Sequence, residues 1–339
     1  MPTYNFFRTL VLLSTVALAT ALLILANSPG NSAQAQVVAP PEATLVGAGD
    51  IASCRYNRDY ATAKLVNSTI ATAQAPVTIF TLGDNAYPDG NVAQFRDCYD
   101  PTWGGSHLGQ RTDITPTLYN PQMWDLTRLP AVGNHEYRTD NARPYFDYFG
   151  AKAGDPTKGY YSYDAGSWHF VVLNSNCDKV GGCGRLSAQG KWLRADLANH
   201  PASCTVASFH HPLYTSSTAD TTIVRPFWDM LYSAGADVIV SGHAHYYERF
   251  VPQRPDGTRD LTYGIREFIA GTGGQSPDNP MRVPRATNSV IDSEKSPGVT
   301  AYGVLKLDLY EGSYSWKFLP IEGESFTDSG SGTCHGKPQ

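Results

Sequence analysis

Five short polar motifs, each directly after an apolar, β-branched run, constrain this chain more than any other feature. The motifs are Gly49-Asp50, Gly83-Asp84-Asn85-Ala86-Tyr87, Gly133-Asn134-His135-Glu136, His210-His211-Pro212 and Gly242-His243-Ala244-His245. Runs such as Val77-Thr78-Ile79-Phe80 are typical of short buried strands. Each motif is therefore expected at the carboxyl end of a strand, where the loops of an α/β sheet surround a common crevice. Because Asp, Asn, His and Tyr are metal donors, the pattern predicts one composite metal centre.

The segments between these strands have helical and loop character. Helices are predicted over residues 59–74, 187–199 and 222–234, with Ser187 as a candidate N-cap. Strands that alternate with helices indicate parallel β-α-β units. Irregular sequence between Asn85 and Leu129 predicts a long surface excursion over the site. Near the C-terminus, residues 302–310 and 312–320 predict an antiparallel hairpin.

The composition excludes some classes of protein. The 339 residues are 41% hydrophobic and carry a formal net charge of -5, which is compatible with one large domain. Because lysine and arginine form no runs, the sequence carries no nucleic-acid-binding signal. It also shows no internal repeat, so a single domain is expected.

The N-terminus has the features of an export signal. Arg8 precedes an apolar stretch, 10–26, and Ala33-Gln34-Ala35 provides a small-x-small cleavage pattern. Because the apolar stretch exceeds the roughly 7–15 residues of a typical signal core, an uncleaved membrane anchor is the alternative. We therefore expect a signal peptide or anchor at 1–35, a linker at 36–41 and a single catalytic domain at 42–339. The protein would be secreted or extracytoplasmic, with no membrane contact unless the segment stays uncleaved.

The even number of cysteines, six, also fits an oxidising compartment. Six cysteines allow about fifteen pairings, so the sequence leaves their connectivity open. The favoured set contains Cys177–Cys183, which closes a short flexible loop, and Cys54–Cys98, which braces the rim of the predicted site. The two remaining cysteines would form the third pair, Cys204–Cys334.

The donor types suit a pair of cations about 3.5–4 Å apart, as in two-metal phosphatases. Asp84 is the natural bridging ligand because the preceding Gly83 lets the backbone approach closely. Asp50 and Tyr87 could complete the coordination of one ion, and Asn134 and His210 could complete that of the other. His243 and His245 could reach different ions from the turn after Gly242.

Tyr87 carries information about the metal. Because phenol normally deprotonates near pH 10, a phenolate binds best to a strongly polarising ion such as Fe(III). The partner ion could be divalent Fe, Zn or Mn. Water between two such ions would form a hydroxide nucleophile for in-line attack on phosphorus. His135 suits a phosphate-contacting role, and Glu136 could orient a histidine ligand.

The ordered motifs resemble those of the calcineurin-like metallophosphoesterases. Tyr87 and the extension Tyr247-Glu248-Arg249 resemble the purple acid phosphatase branch within that family. The resemblance covers about residues 43–250 and implies an α/β protein with a four-layer α/β/β/α sandwich around a dinuclear centre. The implied ligands are Asp50, Asp84, Tyr87 and His245 for the first ion, and Asp84, Asn134, His210 and His243 for the second.

The resemblance implies an exported phosphatase that acts on small phosphate monoesters through a metal-bridging hydroxide, with Asp84 and His135 in catalytic roles. A phosphodiesterase or nucleotidase with the same centre and a noncatalytic metal-binding protein of the same fold are the alternatives. The chain departs from the family pattern because residues 214–229 contain no histidine to assist the leaving group. His211, Tyr214 or solvent could substitute. Candidates for substrate contact are Arg138 and Tyr247, followed by Arg55, Tyr137 and Arg249.

Overall fold

Two β-sheets lie face to face in the computed structural model, which describes residues 39–109, 118–217, 222–277, 280–296 and 299–338. The α-helices are α1 (Arg58–Thr72), α2 (Val92–Gln94), α3 (Pro121–Leu126), α4 (Arg143–Phe149), α5 (Ala188–Asn199) and α6 (Arg225–Ala234). The strands are β1 (Ala43–Ala48), β2 (Ala52–Ser53), β3 (Val77–Leu82), β4 (Ala86–Tyr87), β5 (Thr127–Ala131), β6 (Tyr161–Ala165), β7 (Trp168–Val172), β8 (Cys204–Phe209), β9 (Val238–Ser241), β10 (Tyr247–Phe250), β11 (Arg266–Ala270), β12 (Ser289–Asp292), β13 (Glu294–Ser296), β14 (Val299–Thr300), β15 (Gly303–Tyr310), β16 (Ser313–Pro320) and β17 (Ser329–Thr333).

The motif strands are divided between the two large sheets. The first sheet has the order β17-β16-β15-β1-β3-β5, and the second has the order β12-β10-β11-β9-β8-β7-β6. β1, β3 and β5 are mutually parallel, as are β7, β8, β9 and β11. The carboxyl ends of the motif strands therefore point to one edge of each sheet.

Alternating side chains along the strands build the layers. In β1, Leu45 joins a core shared by both sheets, which also contains Phe80 and Val240. The next residue, Val46, points the other way into a core with α1 and α4. On the far side, Ile239 packs in a third core with side chains of α5 and α6. The four layers confirm the predicted α/β/β/α sandwich.

The regular elements are confirmed with small shifts at their ends. All five motif strands form, and Ser187 caps α5 by accepting a hydrogen bond from the Gly190 amide at 3.0 Å. The predicted C-terminal hairpin is β15 and β16, yet β15 also pairs with β1 and so lies inside the first sheet. The excursion after Asn85 contains short helical segments, and residues 110–117 lie outside its described part.

The disulfides link Cys54 to Cys98, Cys177 to Cys183 and Cys204 to Cys334, which confirms the favoured pairing. The export signal at 1–35 lies outside the described residues, so it stays a prediction together with the domain boundaries. None of the helices that the structure describes has both the length and the apolar character needed to cross a bilayer.

Candidate metal centre

The edges of the two sheets are joined at the motif loops. The Gly49 amide donates to the Ala270 carbonyl at 2.9 Å, which links the end of β1 to the end of β11. The His243 amide donates to Oδ2 of Asp50 at 2.8 Å and so draws the loop after β9 toward the first sheet. The five motifs therefore surround one crevice although their strands belong to two sheets.

The backbone bends sharply at three of the predicted ligands. Asp50, Asp84 and His243 have φ values of 59°, 51° and 69°. Non-glycine residues seldom adopt this left-handed conformation, and its cost is of the order of 1–3 kcal/mol in each case. Such strain is common at functional sites, because it turns a side chain toward a ligand immediately after a strand ends.

One group of donors surrounds the Tyr87 hydroxyl. The Tyr87 oxygen lies 2.8 Å from Oδ1 of Asp50, 3.0 Å from Oδ2 of Asp84 and 3.2 Å from Nε2 of His245. His245 Nε2 also lies 3.2 Å from Oδ1 of Asp50. The Nδ1 atom of the same ring lies 2.6 Å from the Ser276 carbonyl, which turns Nε2 toward the other donors.

A second group surrounds His210. Its Nε2 lies 2.9 Å from Oδ1 of Asn134, 3.2 Å from Nδ1 of His243 and 3.4 Å from Oδ2 of Asp84. Its Nδ1 is 2.7 Å from the Leu82 carbonyl, which orients this ring in the same way. Asp84 belongs to both groups, as the sequence predicts for a bridging ligand.

The donor set fits a pair of cations. Asp50 and Asp84 are 0% and 1% exposed, and within the described part of the chain their ion pairs are with histidines. Burial and the two carboxylates raise the pKa of Tyr87 well above its usual value, so the phenol needs a strong Lewis acid to ionise. Burial also opposes ionisation of Asp84, but His210 and His135 together outweigh it and lower the pKa of this carboxyl.

Glu136 has a different role from the one that the sequence suggests. Its carboxylate accepts the backbone amides of Asp84 at 3.0 Å, Asn85 at 2.6 Å and Gly133 at 2.8 Å, and the residue is fully buried. The prediction that it orients a histidine ligand is therefore wrong. Instead, it fastens the loop after β3 to the loop after β5.

His135 and Arg138 lie together at the rim of the crevice. The His135 ring contacts the Pro88 carbonyl through Nδ1 at 2.5 Å and the Arg138 guanidinium through Nε2 at 3.1 Å. Its Nε2 is also 3.7 Å from Oδ2 of Asp84. The Arg138 side chain remains 50% exposed, so it is accessible to a ligand that enters the crevice.

Three side chains that were candidates for substrate contact or proton donation point away from the crevice. The Tyr247 side chain is fully buried between the sheets, and its hydroxyl donates to Asp328 at 2.6 Å. Arg249 binds the same carboxylate at 2.7 and 3.0 Å. The prediction that Tyr247 contacts substrate is therefore corrected, because its direction along β10 takes it into the core. Tyr214 is turned away too, since its hydroxyl donates to the Pro255 carbonyl at 2.6 Å.

The sequence reasoning missed the loop after β11. This loop supplies the Ser276 carbonyl that orients His245. Gly271 approaches the centre so closely that a β-carbon there would lie 2.7 Å from Oδ2 of Asp50. The glycine-rich run Gly271-Thr272-Gly273-Gly274, directly after a strand, could have indicated this close approach of the backbone.

Comparison with known proteins points to the same family as the sequence motifs. The sequence model of the calcineurin-like phosphoesterase family matches residues 43–247. Purple acid phosphatase 15 of Arabidopsis thaliana is 28% identical over 195 residues, which are 52% of this chain and 36% of that protein. The chain thus spans little more than a third of the length of that plant relative.

Solved structures share the fold. Purple acid phosphatase PPD1 from yellow lupin (Lupinus luteus) seeds superposes with a TM-score of 0.62 at 15% identity, over 86% of this chain and 54% of that one. GAP50, described as the anchor in the inner membrane complex of Plasmodium, superposes with a TM-score of 0.59 at 12% identity, over 87% of this chain and 89% of that one. Together with the matched motifs, these findings show that the chain belongs to the calcineurin-like phosphoesterase family.

Proposed function

We propose that this chain is an exported, metal-dependent phosphatase that hydrolyses phosphate monoesters. The observation that carries the proposal is the pair of donor groups that share Asp84, one around Tyr87 and one around His210. The predicted N-terminal signal and the three disulfides support an extracytoplasmic location, where such bonds persist.

The residues around Tyr87 would hold Fe(III), and those around His210 would hold a divalent Fe, Zn or Mn ion. Two such ions supply Lewis acidity to water and to the phosphoryl oxygens when they are bound. The assignment of iron depends on Tyr87, because a phenol between two carboxylates ionises only beside a strongly polarising cation.

The rim residues would position the phosphoryl group. Arg138 presents its half-exposed guanidinium beside His135, and guanidinium groups match phosphate oxygens in geometry and charge. His135 is held on its other side by the Pro88 carbonyl. The Arg138 guanidinium also donates to the Pro88 carbonyl at 3.1 Å and lies 3.7 Å from the Asp89 carboxylate, so both side chains are held at the rim through the Pro88 segment.

The leaving group needs a proton donor, and the three candidates differ in where their polar atoms lie. Tyr214 fits this role poorly, because its hydroxyl donates to the backbone carbonyls of residues 254 and 255. The His211 ring packs against His210 and His243 at centroid separations of 4.8 and 4.5 Å, with its Nδ1 atom 2.8 Å from the Ser175 hydroxyl. His211 and solvent thus remain as the candidates.

A matched pair of esters tests the proposal. Metal-loaded protein should hydrolyse p-nitrophenyl phosphate faster than bis(p-nitrophenyl) phosphate, and Asp84→Asn should abolish both activities. Leu186→Ala, at an exposed position of 79% accessibility, serves as the control variant. Hydrolysis of the diester alone would favour the phosphodiesterase alternative. Protein that hydrolyses neither ester under metal-replete conditions, whether or not it binds metal, would favour a noncatalytic member of the family.

A further inference from the structure

A cleft opens beside Tyr87. It is lined by Arg55, Tyr56, Tyr87, Gln275 and Ser276, among others. Tyr87 contributes its hydroxyl to the candidate metal centre and is also one of the residues that line this cleft. A substrate whose phosphoryl group occupies the centre would therefore extend its organic group along the cleft.

Arg55 gives the lining of the cleft a positive charge. Arg55 is exposed, and among the described residues no carboxylate or other side chain engages its guanidinium. Arg58 lies close by and donates to the Ser276 hydroxyl at 3.0 Å. No acidic side chain lines the described part of the cleft, so nothing there neutralises Arg55.

The backbone that carries Arg55 is fixed. β2 pairs in parallel with β4, and this pairing places Ser53 opposite Tyr87. The disulfide from Cys54 to Cys98 fastens the next residue. The Tyr56 ring is covered by the Arg58 guanidinium at 4.7 Å from its centroid. Arg55 thus projects from a braced turn, which lowers the entropic cost of holding a ligand there.

We infer that Arg55 forms a second anion-binding position, which selects phosphate monoesters whose leaving group carries another negative charge. The inference rests on the proposed function and names its substrate class. The second anion would be a carboxylate or a further phosphate, because a guanidinium recognises both through paired hydrogen bonds. A monoester with a neutral leaving group would leave Arg55 without a partner.

Nonhydrolysable ligands test the inference independently of turnover. Phenylphosphonate and 4-carboxyphenylphosphonate differ in one carboxylate, and calorimetric titration of metal-loaded full-length protein should show about five-fold tighter binding of the second, as expected for a solvent-accessible charge-assisted contact. Arg55→Gln should remove this preference and leave the affinity for phenylphosphonate unchanged. Arg55→Lys should retain part of the preference for 4-carboxyphenylphosphonate, because lysine keeps the positive charge. Arg143→Gln, whose exposed side chain pairs only with Asp147 in the described structure, is the matched control.

Two outcomes would overturn the inference: equal binding of both ligands by the wild type, or an equal loss of both affinities in Arg55→Gln. Hydrolysis of phenyl phosphate, assayed in parallel, separates this failure from failure of the proposed function. Turnover without the carboxylate preference would reject the second anion-binding position alone. A preference that depends on Arg55, without turnover of any ester, would support the binding position and reject the phosphatase.

Discussion

The phenol oxygen of Tyr87 lies 2.8 Å from a carboxylate oxygen of Asp50, and both side chains are buried. A second carboxylate, that of Asp84, lies 3.0 Å from the same phenol. Without a cation, the phenol stays protonated and donates to one of the two acids. Beside a strongly polarising cation, the phenol would ionise and become a ligand, and the protein would then be expected to absorb visible light.

Replacing Tyr87 by Phe should remove a visible absorption band. In iron-loaded wild-type protein, a tyrosinate bound to Fe(III) should give a charge-transfer transition, and Tyr87→Phe lacks the oxygen needed for it. Visible absorption spectra of both proteins at matched iron content measure the effect. Tyr137→Phe, which loses only an acceptor for the Asn174 amide, is the control and should keep the band.

The opposite result would change the metal assignment. If active wild-type protein is colourless and contains only divalent ions, the assignment of iron is wrong, although the fold is unaffected. A band that persists in Tyr87→Phe would mean that another residue is the chromophore's ligand.

Substitution of Gly133 by Ala should damage metal binding. A β-carbon at this position would collide with the Asp84 carboxylate and with its backbone amide. We expect a loss of roughly 10–100-fold in metal affinity, the range typical of changes that misplace a ligand. Metal content after dialysis measures it. Gly184→Ala, where a β-carbon meets nothing within 4 Å, should bind metal like the wild type, and equal losses in the two variants would contradict the argument.

Glu136→Gln should lower the free energy of unfolding. The Glu136 carboxylate accepts three buried amides between 2.6 and 3.0 Å, whereas the NH₂ group of glutamine accepts none. Each amide left without an acceptor costs about 1–3 kcal/mol. Urea unfolding of the metal-free protein isolates this effect from metal binding. The exposed Glu322→Gln is the control, and a stability of Glu136→Gln equal to that of the control would refute the proposed fastening of the two loops.

A separate cluster predicts a pH dependence of stability. The buried His169 of β7 contacts Asp164 of β6 at 2.7 Å and Asp196 of α5 at 2.9 Å, and the His200 ring stacks on it at 4.8 Å. Burial lowers the pKa of His169, but the hydrogen bonds to Asp196 and Asp164 outweigh it, so the net pKa is raised. The His169 ring therefore binds its proton more tightly in the folded protein than in the unfolded chain.

The direction of the effect follows by linkage. Because the folded pKa is higher, the contribution of His169 is complete below the unfolded value of about 6.5 and is lost as pH rises through the folded pKa. The difference in free energy of unfolding between wild type and His169→Gln should therefore shrink from pH 6 to pH 9. A difference that is constant, or that grows with pH, would contradict this prediction.

Local patterns were enough to predict the regular elements. β1, β3 and β9 are short apolar runs that end at a glycine motif, and alternation along β15 and β16 predicted their hairpin. Such signals arise from neighbouring residues, whose spacing decides which face of a strand or helix is apolar. These local patterns could not predict how the motif strands divide between two sheets. Sheet membership depends on pairings between distant segments, such as that of β1 with β15.

Residue chemistry identified the candidate donors, whereas the direction of individual side chains could not be read from adjacency. Tyr247 lies two residues after His245, yet its ring enters the core and binds Asp328. Glu136 follows His135 directly, yet it turns inward to the backbone of the two loops. Tyr247 begins a strand after a bend, and Glu136 begins a short 3-10 helix. The backbone conformation therefore changes between each residue and the neighbouring motif histidine, so the two side chains face different surroundings.

The amino-acid order alone was sufficient for the strand-helix alternation, the five motifs and the donor types, because each depends on a few adjacent residues and their chemistry. The meeting of Asp50, Asp84 and His210 in one place required the packed sheets. Their convergence depends on hydrogen bonds between loops that are far apart in the chain, such as the one from the His243 amide to Asp50. The same packing set Arg55 beside Tyr87, through the pairing of β2 with β4.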